Sequence, residues 1–117
     1  MPEIYLIRHA EGEHNLKKKY DIFNPSLTDN GYQQILKTKE ELMNIDFDQI
    51  YVSPLLRTLQ TAKGIFGEKT MIALEEVREF VDNECDLRQP ISQSVILFPF
   101  VNFNNIGEIL LSNLKRF

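Results

Sequence analysis

Ile4-Tyr5-Leu6-Ile7-Arg8-His9 is the stretch on which the fold turns. Four apolar, β-favouring residues in a row are the pattern of a strand buried on both faces of a parallel sheet. The run stops abruptly at Arg8-His9, which puts two polar residues at the carboxyl end of that strand, where open α/β sheets bind their ligands. Downstream, a loop rich in Lys, Asn and Pro leads to Leu27-Thr28-Asp29-Asn30-Gly31. There Thr28 or Asp29 caps a helix whose apolar face reads Tyr32, Ile35, Leu36, Leu42 and Met43. The opening stretch is therefore the first half of a strand-to-helix unit with a site at its turn.

The next unit repeats the logic. Gln49-Ile50-Tyr51-Val52 reads as a strand, and Ser53-Pro54 as the N-cap and first-turn proline of a helix with the buried stripe Leu55, Leu59, Ala62 and Phe66. Arg57 falls in its first turn, beside backbone N–H groups that favour an anion. Gly67 ends this helix, and a third strand follows over Thr70 to Leu74. Strands alternating with helices predict an α/β fold, a three-layer α/β/α arrangement around a mostly parallel sheet. From Val77 to Asn105 the pattern weakens into polar turns, one apolar run from Val95 to Phe98 and the breakers Pro90 and Pro99, so no element is assigned there. Ile106, Ile109, Leu110, Leu114 and Phe117 have helical spacing, with Asn105 as cap and Lys115 and Arg116 at the favourable end of the dipole. Without repeats or a linker, residues 1–117 read as a single domain.

Composition narrows the function classes. A chain of 117 residues, 43% hydrophobic and 26% charged, has the balance of one globular domain. No apolar run approaches the roughly 18 residues of a membrane span, and Met1-Pro2-Glu3 does not begin an export signal, so a cytoplasmic protein without a membrane partner is expected. Cys85 is the sole cysteine, which excludes an internal disulfide. The net charge of −4 argues against a nucleic-acid partner. Lys17-Lys18-Lys19 reads first as a solvated face and second as a means of steering anions.

Four segments carry a resemblance. Leu6-Ile7-Arg8-His9-Ala10-Glu11-Gly12-Glu13-His14-Asn15 resembles the nucleophile motif of histidine phosphatases of the phosphoglycerate-mutase-like superfamily, an arginine-histidine pair at a strand end followed by an asparagine. Leu27-Thr28-Asp29-Asn30-Gly31 resembles the family's helix start. Ser53-Pro54-Leu55-Leu56-Arg57-Thr58-Leu59-Gln60-Thr61-Ala62 is similar to the element that carries its second phosphate arginine. Leu74-Glu75-Glu76-Val77-Arg78-Glu79-Phe80 is similar to the segment that supplies a carboxylic acid in many members. The four occur in family order over residues 1 to about 80, which makes coincidence a poor explanation. Cys85 to Arg88, Phe98-Pro99 and Asn102-Phe103 resemble, more faintly, the plant and fungal branch.

The resemblance implies hydrolysis of phosphomonoesters through a phosphohistidine on His9. A neutral imidazole attacks phosphorus in line, so one ring nitrogen must carry a lone pair while the other donates to a fixed acceptor. Guanidinium groups of Arg8 and Arg57 match the equatorial phosphoryl oxygens with paired hydrogen bonds, and Asn15 adds a neutral donor. Glu79 suits the general acid, because phosphate oxygens nearby raise a carboxyl pKa, although Glu75 and Glu76 stand close enough to compete. His14 reads as support or substrate contact. No metal or other cofactor is implied, and the expected partner is a phosphorylated small molecule or a phosphoprotein. Phosphoglycerate-mutase-type activity is the lesser expectation, since a mutase must exclude water and retain its phosphoryl donor. Each role has an ordinary rival: a satisfied strand-end histidine for His9, a surface ion pair for Arg57, a solvated loop charge for Glu79.

Other chemistries fit less well. A cysteine phosphatase needs an arginine six residues after its nucleophile, and Ile91 stands six after Cys85. A zinc site from His9, His14 and Cys85 lacks ligands and leaves Arg8 beside a cation. The stronger alternative is a phosphate-binding or interaction protein without turnover, a pseudophosphatase or gene fragment, because the family's second catalytic histidine has no counterpart: His9 and His14 are the only two histidines. In the family that residue follows a strand lying beside the first one, so the fold is expected to be incomplete at its C-terminus. Residues 1–117 alone are therefore expected to be marginally stable or self-associating, with turnover far below the typical enzyme value of about 10 s⁻¹. Thermal melting, sizing and a phosphatase assay on that chain check this expectation.

Overall fold

A three-stranded, fully parallel sheet in the order β1-β2-β3 organises the chain. The computed structural model describes residues 3–19, 21, 22, 24–77 and 87–106. Its elements are α1 (Glu13–Lys17), α2 (Asp29–Leu42), β1 (Tyr51–Val52), α3 (Leu56–Phe66), β2 (Met71–Ala73), a 3₁₀ turn (Glu75–Val77), α4 (Ile91–Leu97) and β3 (Val101–Asn102). Tyr51 pairs with Ile72, and Met71 with Val101. Parallel neighbours require crossovers. Helix α3 lies on the path from β1 to β2, and the 3₁₀ turn and α4 on the path from β2 to β3, so the fold is α/β as the alternation predicts. The ladder runs a little past the strand ends, with Ile72 N donating to Ile50 O at 3.0 Å and Leu74 N to Val52 O at 2.9 Å.

Helix α2 begins where its sequence says. Thr28 has an extended backbone, and its Oγ1 accepts the Gly31 N–H at 3.0 Å, which settles the cap on Thr28 and leaves Asp29 in the first turn. Its apolar face is narrower than expected. Ile35 is buried, whereas Tyr32, Leu36 and Met43 are exposed. Among the described elements α2 packs chiefly on α3, and a helix lying on one helix covers only a narrow stripe. The seam is tight at Gly64, where an added Cβ would stand 2.7 Å from Ile35 Cγ2 and 3.0 Å from its Cδ1.

Helix α3 starts later than Ser53-Pro54 implied. Its N-cap is Leu55, which makes no side-chain cap bond. Ser53 Oγ instead accepts the Leu55 N–H at 3.3 Å and pairs with Thr58 Oγ1 at 2.6 Å, so this serine builds the turn that enters the helix. The first helical N–H, that of Leu56, goes to Asn24 Oδ1 at 3.1 Å, a partner supplied from another part of the chain. Leu55, Leu59 and Ala62 are buried as read, and Gly67 closes the helix with φ 68°.

The largest correction is at the N-terminus. Ile4 to Ile7 form no strand: Ile4 and Leu6 are 94% and 99% exposed. Among the described residues nothing pairs with this segment. It keeps the alternation of an extended chain, with Ile7 packed against the core and Tyr5 edge-on to Phe47 at 5.2 Å, which in turn meets Phe66 edge-on at 5.5 Å. An apolar run of four signals a strand only if a sheet edge is there to receive it. The Val95 to Phe98 run, in the stretch given no element from the sequence, belongs to a helix and its end. It closes α4, with Val95, Ile96 and Leu97 exposed and Phe98 buried just beyond the helix. The third position in the sheet falls instead to β3, in a stretch for which no element was expected. Glu79, Cys85 and all of the closing helix past Ile106 lie outside the described residues.

Two apolar cores result. One gathers Val52, Met71, Ala73, Val101 and Phe103 around the sheet with Leu59, Ile91 and Phe98. The other joins Ala10, Leu27, Ile35 and Ile65, and Phe66 packs against both. A largely buried chain of polar contacts links them to the rest of the fold. Arg88 donates from Nε and Nη2 to Glu75 Oε1 at 3.0 and 2.8 Å and from Nη1 to Gln89 O at 3.0 Å. Gln89 Nε2 donates to Ser94 Oγ at 2.8 Å, and Asn24 Nδ2 to Gln89 Oε1. These bonds tie the 3₁₀ turn, α4 and the entry to α3 together.

The seam of α2 and α3 gives a clean test. Gly64→Val is expected to cost about 1–3 kcal/mol by overpacking, and Ile35→Ala about 2–5 kcal/mol by leaving a cavity. Because the new methyl groups and the vacated space coincide, the double variant should be more stable than the sum of the two losses predicts, read from denaturant midpoints.

Candidate active site

The residues after Ile7 enter a tightly held loop. The Ala10 N–H donates to Thr61 Oγ1 at 3.0 Å, Glu11 N–H to Gln34 Oε1 at 2.8 Å, Gly12 N–H to Asn15 Oδ1 at 3.0 Å, and Glu13 N–H to Ser26 O at 2.9 Å. Four successive amides thus spend their hydrogens inside the protein. The loop is not a backbone cradle for an anion, and any phosphate must be met by side chains. A short antiparallel bridge between Gly12 and Leu27 and a Thr28 N to Glu11 O bond at 3.0 Å press the loop against the start of α2.

That pressure explains Gly31. A Cβ on this residue would lie 2.4 Å from Glu11 O and 3.3 Å from Glu11 C and N, all backbone atoms. The glycine at the helix start is needed for space. Thr28 adds to the same contact: its Oγ1 donates to Glu11 Oε1 at 2.7 Å. Glu11 is therefore held at both its carbonyl and its carboxylate.

A cleft of about 440 Å³ opens over this loop, lined by Arg8, His9, Ala10, Glu11 and Asn15, by Gln34, Ile35 and Thr38 of α2, and by Thr61 and Ile65 of α3. Three of the residues read from the sequence, Arg8, His9 and Asn15, meet here. His9 is half-buried, and its Nδ1 lies 2.6 Å from Ala10 O. A carbonyl only accepts, so Nδ1 carries a proton, and in the neutral ring the lone pair is then on Nε2. Asn15 has its Oδ1 committed to Gly12 N, so its amide NH₂ is the part able to donate to a ligand. His14 is buried, with its ring centroid 5.7 Å from that of His9.

Arg57 is placed differently. It is fully buried at the start of α3 and does not line the cleft. Its carbonyl accepts from Thr61 Oγ1 at 2.7 Å, and the same hydroxyl oxygen receives the Ala10 N–H. Arg57 and the His9 loop are thereby coupled through one threonine. Of the three candidate acids, Glu75 is engaged by Arg88 and does not line the cleft, Glu76 is exposed, and Glu79 lies outside the described residues. The sequence reading missed Gln34, Thr38 and Glu11 as cleft residues. A signal was present: Gly31, Gln34 and Thr38 are spaced three and four apart and share a helix face.

Comparison with known proteins places the chain in a family. The sequence profile of the histidine phosphatase superfamily (branch 1) matches residues 4–89. Phosphoglycerate mutase-like protein 1 of Arabidopsis thaliana is 30% identical over a region covering 88% of this chain and 52% of that protein. Phosphoserine phosphatase 1 of Hydrogenobacter thermophilus is 37% identical over 67% of this chain and 37% of its own length. The crystal structure of the phosphoserine phosphatase of Entamoeba histolytica in complex with 3-phosphoglyceric acid superposes with a TM-score of 0.52 at 37% identity, covering 62% of this chain and 36% of that one. The chain thus spans about half the length, or less, of the relatives it matches.

The contact at Gly31 yields a prediction. Alanine normally stabilises a helix relative to glycine by about 1 kcal/mol. At position 31 the sign should reverse, with Gly31→Ala destabilising by about 1–3 kcal/mol because backbone has to move. Equilibrium urea unfolding measures it, with Asn30→Ala, at an exposed neighbour in the same turn, as the control expected to change little.

Proposed function

Because the chain belongs to branch 1 of the histidine phosphatase superfamily, we propose that it serves phosphoryl transfer from a phosphomonoester to His9 and on to water. The single observation that carries this reading is the 2.6 Å bond from His9 Nδ1 to Ala10 O in a cleft shared with Arg8 and Asn15. It leaves Nε2 as the nucleophilic atom. Nε2 attacks phosphorus as the ester P–O bond breaks, and the departing alkoxide takes a proton from a carboxylic acid, assigned to Glu79. Water then attacks the phosphohistidine and gives its proton to that carboxylate. The N–P bond breaks, inorganic phosphate leaves, and the imidazole is restored.

The charge on the transferring group falls to Arg8 and Asn15 at the cleft, and Arg57, buried outside the cleft lining but coupled to the His9 loop through Thr61, adds a second positive charge nearby. The substrate class is a phosphorylated small molecule or a phosphoprotein. Hydrolysis is favoured over mutase chemistry because the cleft is open beside an exposed Arg8, which admits water to the phosphoenzyme.

A second reading, phosphate binding without turnover, is supported by the same exposure: Arg8 follows a segment that makes no sheet pairing among the described residues, so that side of the site is lightly held by them. One experiment separates the two. Incubation with a ³²P-labelled phosphomonoester, quenched in alkaline detergent, should trap a phosphoenzyme that is stable in alkali and labile in acid, and His9→Ala should abolish it and lower the rate by roughly 10³-fold or more. Vanadate binding with no trapped label in the unaltered protein assigns it to the second reading.

A further inference from the structure

The peptide group between Ala10 and Glu11 is held from both ends. Its carbonyl oxygen, that of Ala10, receives the His9 Nδ1 proton at 2.6 Å, and its N–H, that of Glu11, donates to Gln34 Oε1 at 2.8 Å. A peptide is planar with its C=O and N–H pointing in opposite directions. Whatever fixes the N–H therefore aims the carbonyl.

We propose that Gln34 is a positioning residue for the nucleophile: by accepting the Glu11 N–H it orients the Ala10 carbonyl and so sets the tautomer and ring orientation of His9. The proposal rests on His9 being the nucleophile, but the placement of the proton on its ring is measurable without turnover.

Three observations carry it. Gln34 sits on α2 (Asp29–Leu42), whose register against the loop is set by the Thr28 cap and the close approach of Gly31 to Glu11, so its side chain is presented from a fixed base. The two hydrogen bonds run through one amide, and a peptide that donates at nitrogen is a better acceptor at oxygen, which strengthens the hold on the His9 proton. The neighbouring bonds do not duplicate the role. Thr61 holds the Ala10 N–H, which belongs to the preceding peptide, and Thr28 N–H meets Glu11 O, which belongs to the following one. Gln34 is the side chain that acts on the peptide between them.

Gln34 is exposed and its helix does not depend on it for packing, so its variants should fold. Gln34→Leu removes the acceptor. Gln34→Glu keeps an oxygen at the same reach but adds negative charge to a cleft that binds an anion. The ¹⁵N resonances of the His9 ring, assigned with His9→Ala, report the tautomer. In the unaltered protein Nδ1 should carry the proton, in Gln34→Leu the proton should redistribute toward Nε2, and in Gln34→Glu it should stay on Nδ1. In kinetics Gln34→Leu should lower kcat roughly 10- to 100-fold with little change in KM, on the scale of misplacing a catalytic group by a fraction of an ångström or more. Gln34→Glu should raise KM while largely restoring kcat. A folded Gln34→Leu protein whose His9 keeps the unaltered tautomer overturns the proposal. A tautomer shift in a protein that never forms a phosphoenzyme leaves Gln34 as the positioning residue and removes the phosphatase reading instead.

Discussion

Everything at the site depends on a loop of four residues, Ala10 to Glu13, that has no amide to spare. Each of its N–H groups is taken by a different part of the fold: α3 through Thr61, α2 through Gln34, α1 through Asn15 and the segment before α2 through Ser26. A loop fixed in this way behaves as if it were an element, although it has no repeating pattern of its own. It is the reason a histidine that follows an unpaired segment can still have a defined ring orientation. It also leaves no amide of the loop to meet an anion, so an anion bound here would meet side chains, the arginines of the motif among them.

The parts of this arrangement that were legible in the sequence are the local ones. Arg8, His9 and Asn15 lie within eight residues, so their convergence follows from one turn and one short helix. The Thr28 cap, the stripe of α3 and the strand of β2 are likewise set by neighbours in the chain. The failures are all long-range. Ile4 to Ile7 have the composition of a buried strand, but burial is conferred by a partner, and among the described residues none is there. Ser53 has the residue type of a cap, yet the amide at the helix start is satisfied by Asn24, 32 residues away. Gln34 looks like an ordinary surface glutamine because its partner is a main-chain amide 23 residues distant. Val95 to Phe98 have an apolar run that suits either a strand or a helix end, and only the capture of the next residues by β2 decides between them.

The ion pair between Arg88 and Glu75 changes how the acidic segment is read. Three glutamates within five residues are interchangeable by sequence. Once Glu75 is turned toward Arg88, and Arg88 toward Gln89 O, that carboxylate has a structural task outside the cleft lining. Such a pair brings little net stability when formed, but losing one partner leaves the other charge in a poor environment. Its value here is geometric, since it fixes the 3₁₀ turn from which the chain departs toward Glu79.

The bond from Ala10 to Thr61 spans 51 residues, and that from Asn24 to Gln89 spans 65. On a ribosome adding roughly 5–20 residues per second, the histidine leaves the exit tunnel several seconds before the threonine that anchors its loop, and longer still before the glutamine that closes the entry to α3. The imidazole is thus made well before the side chains that give its loop its geometry. Chain order itself keeps the imidazole unorganised until the surrounding fold exists.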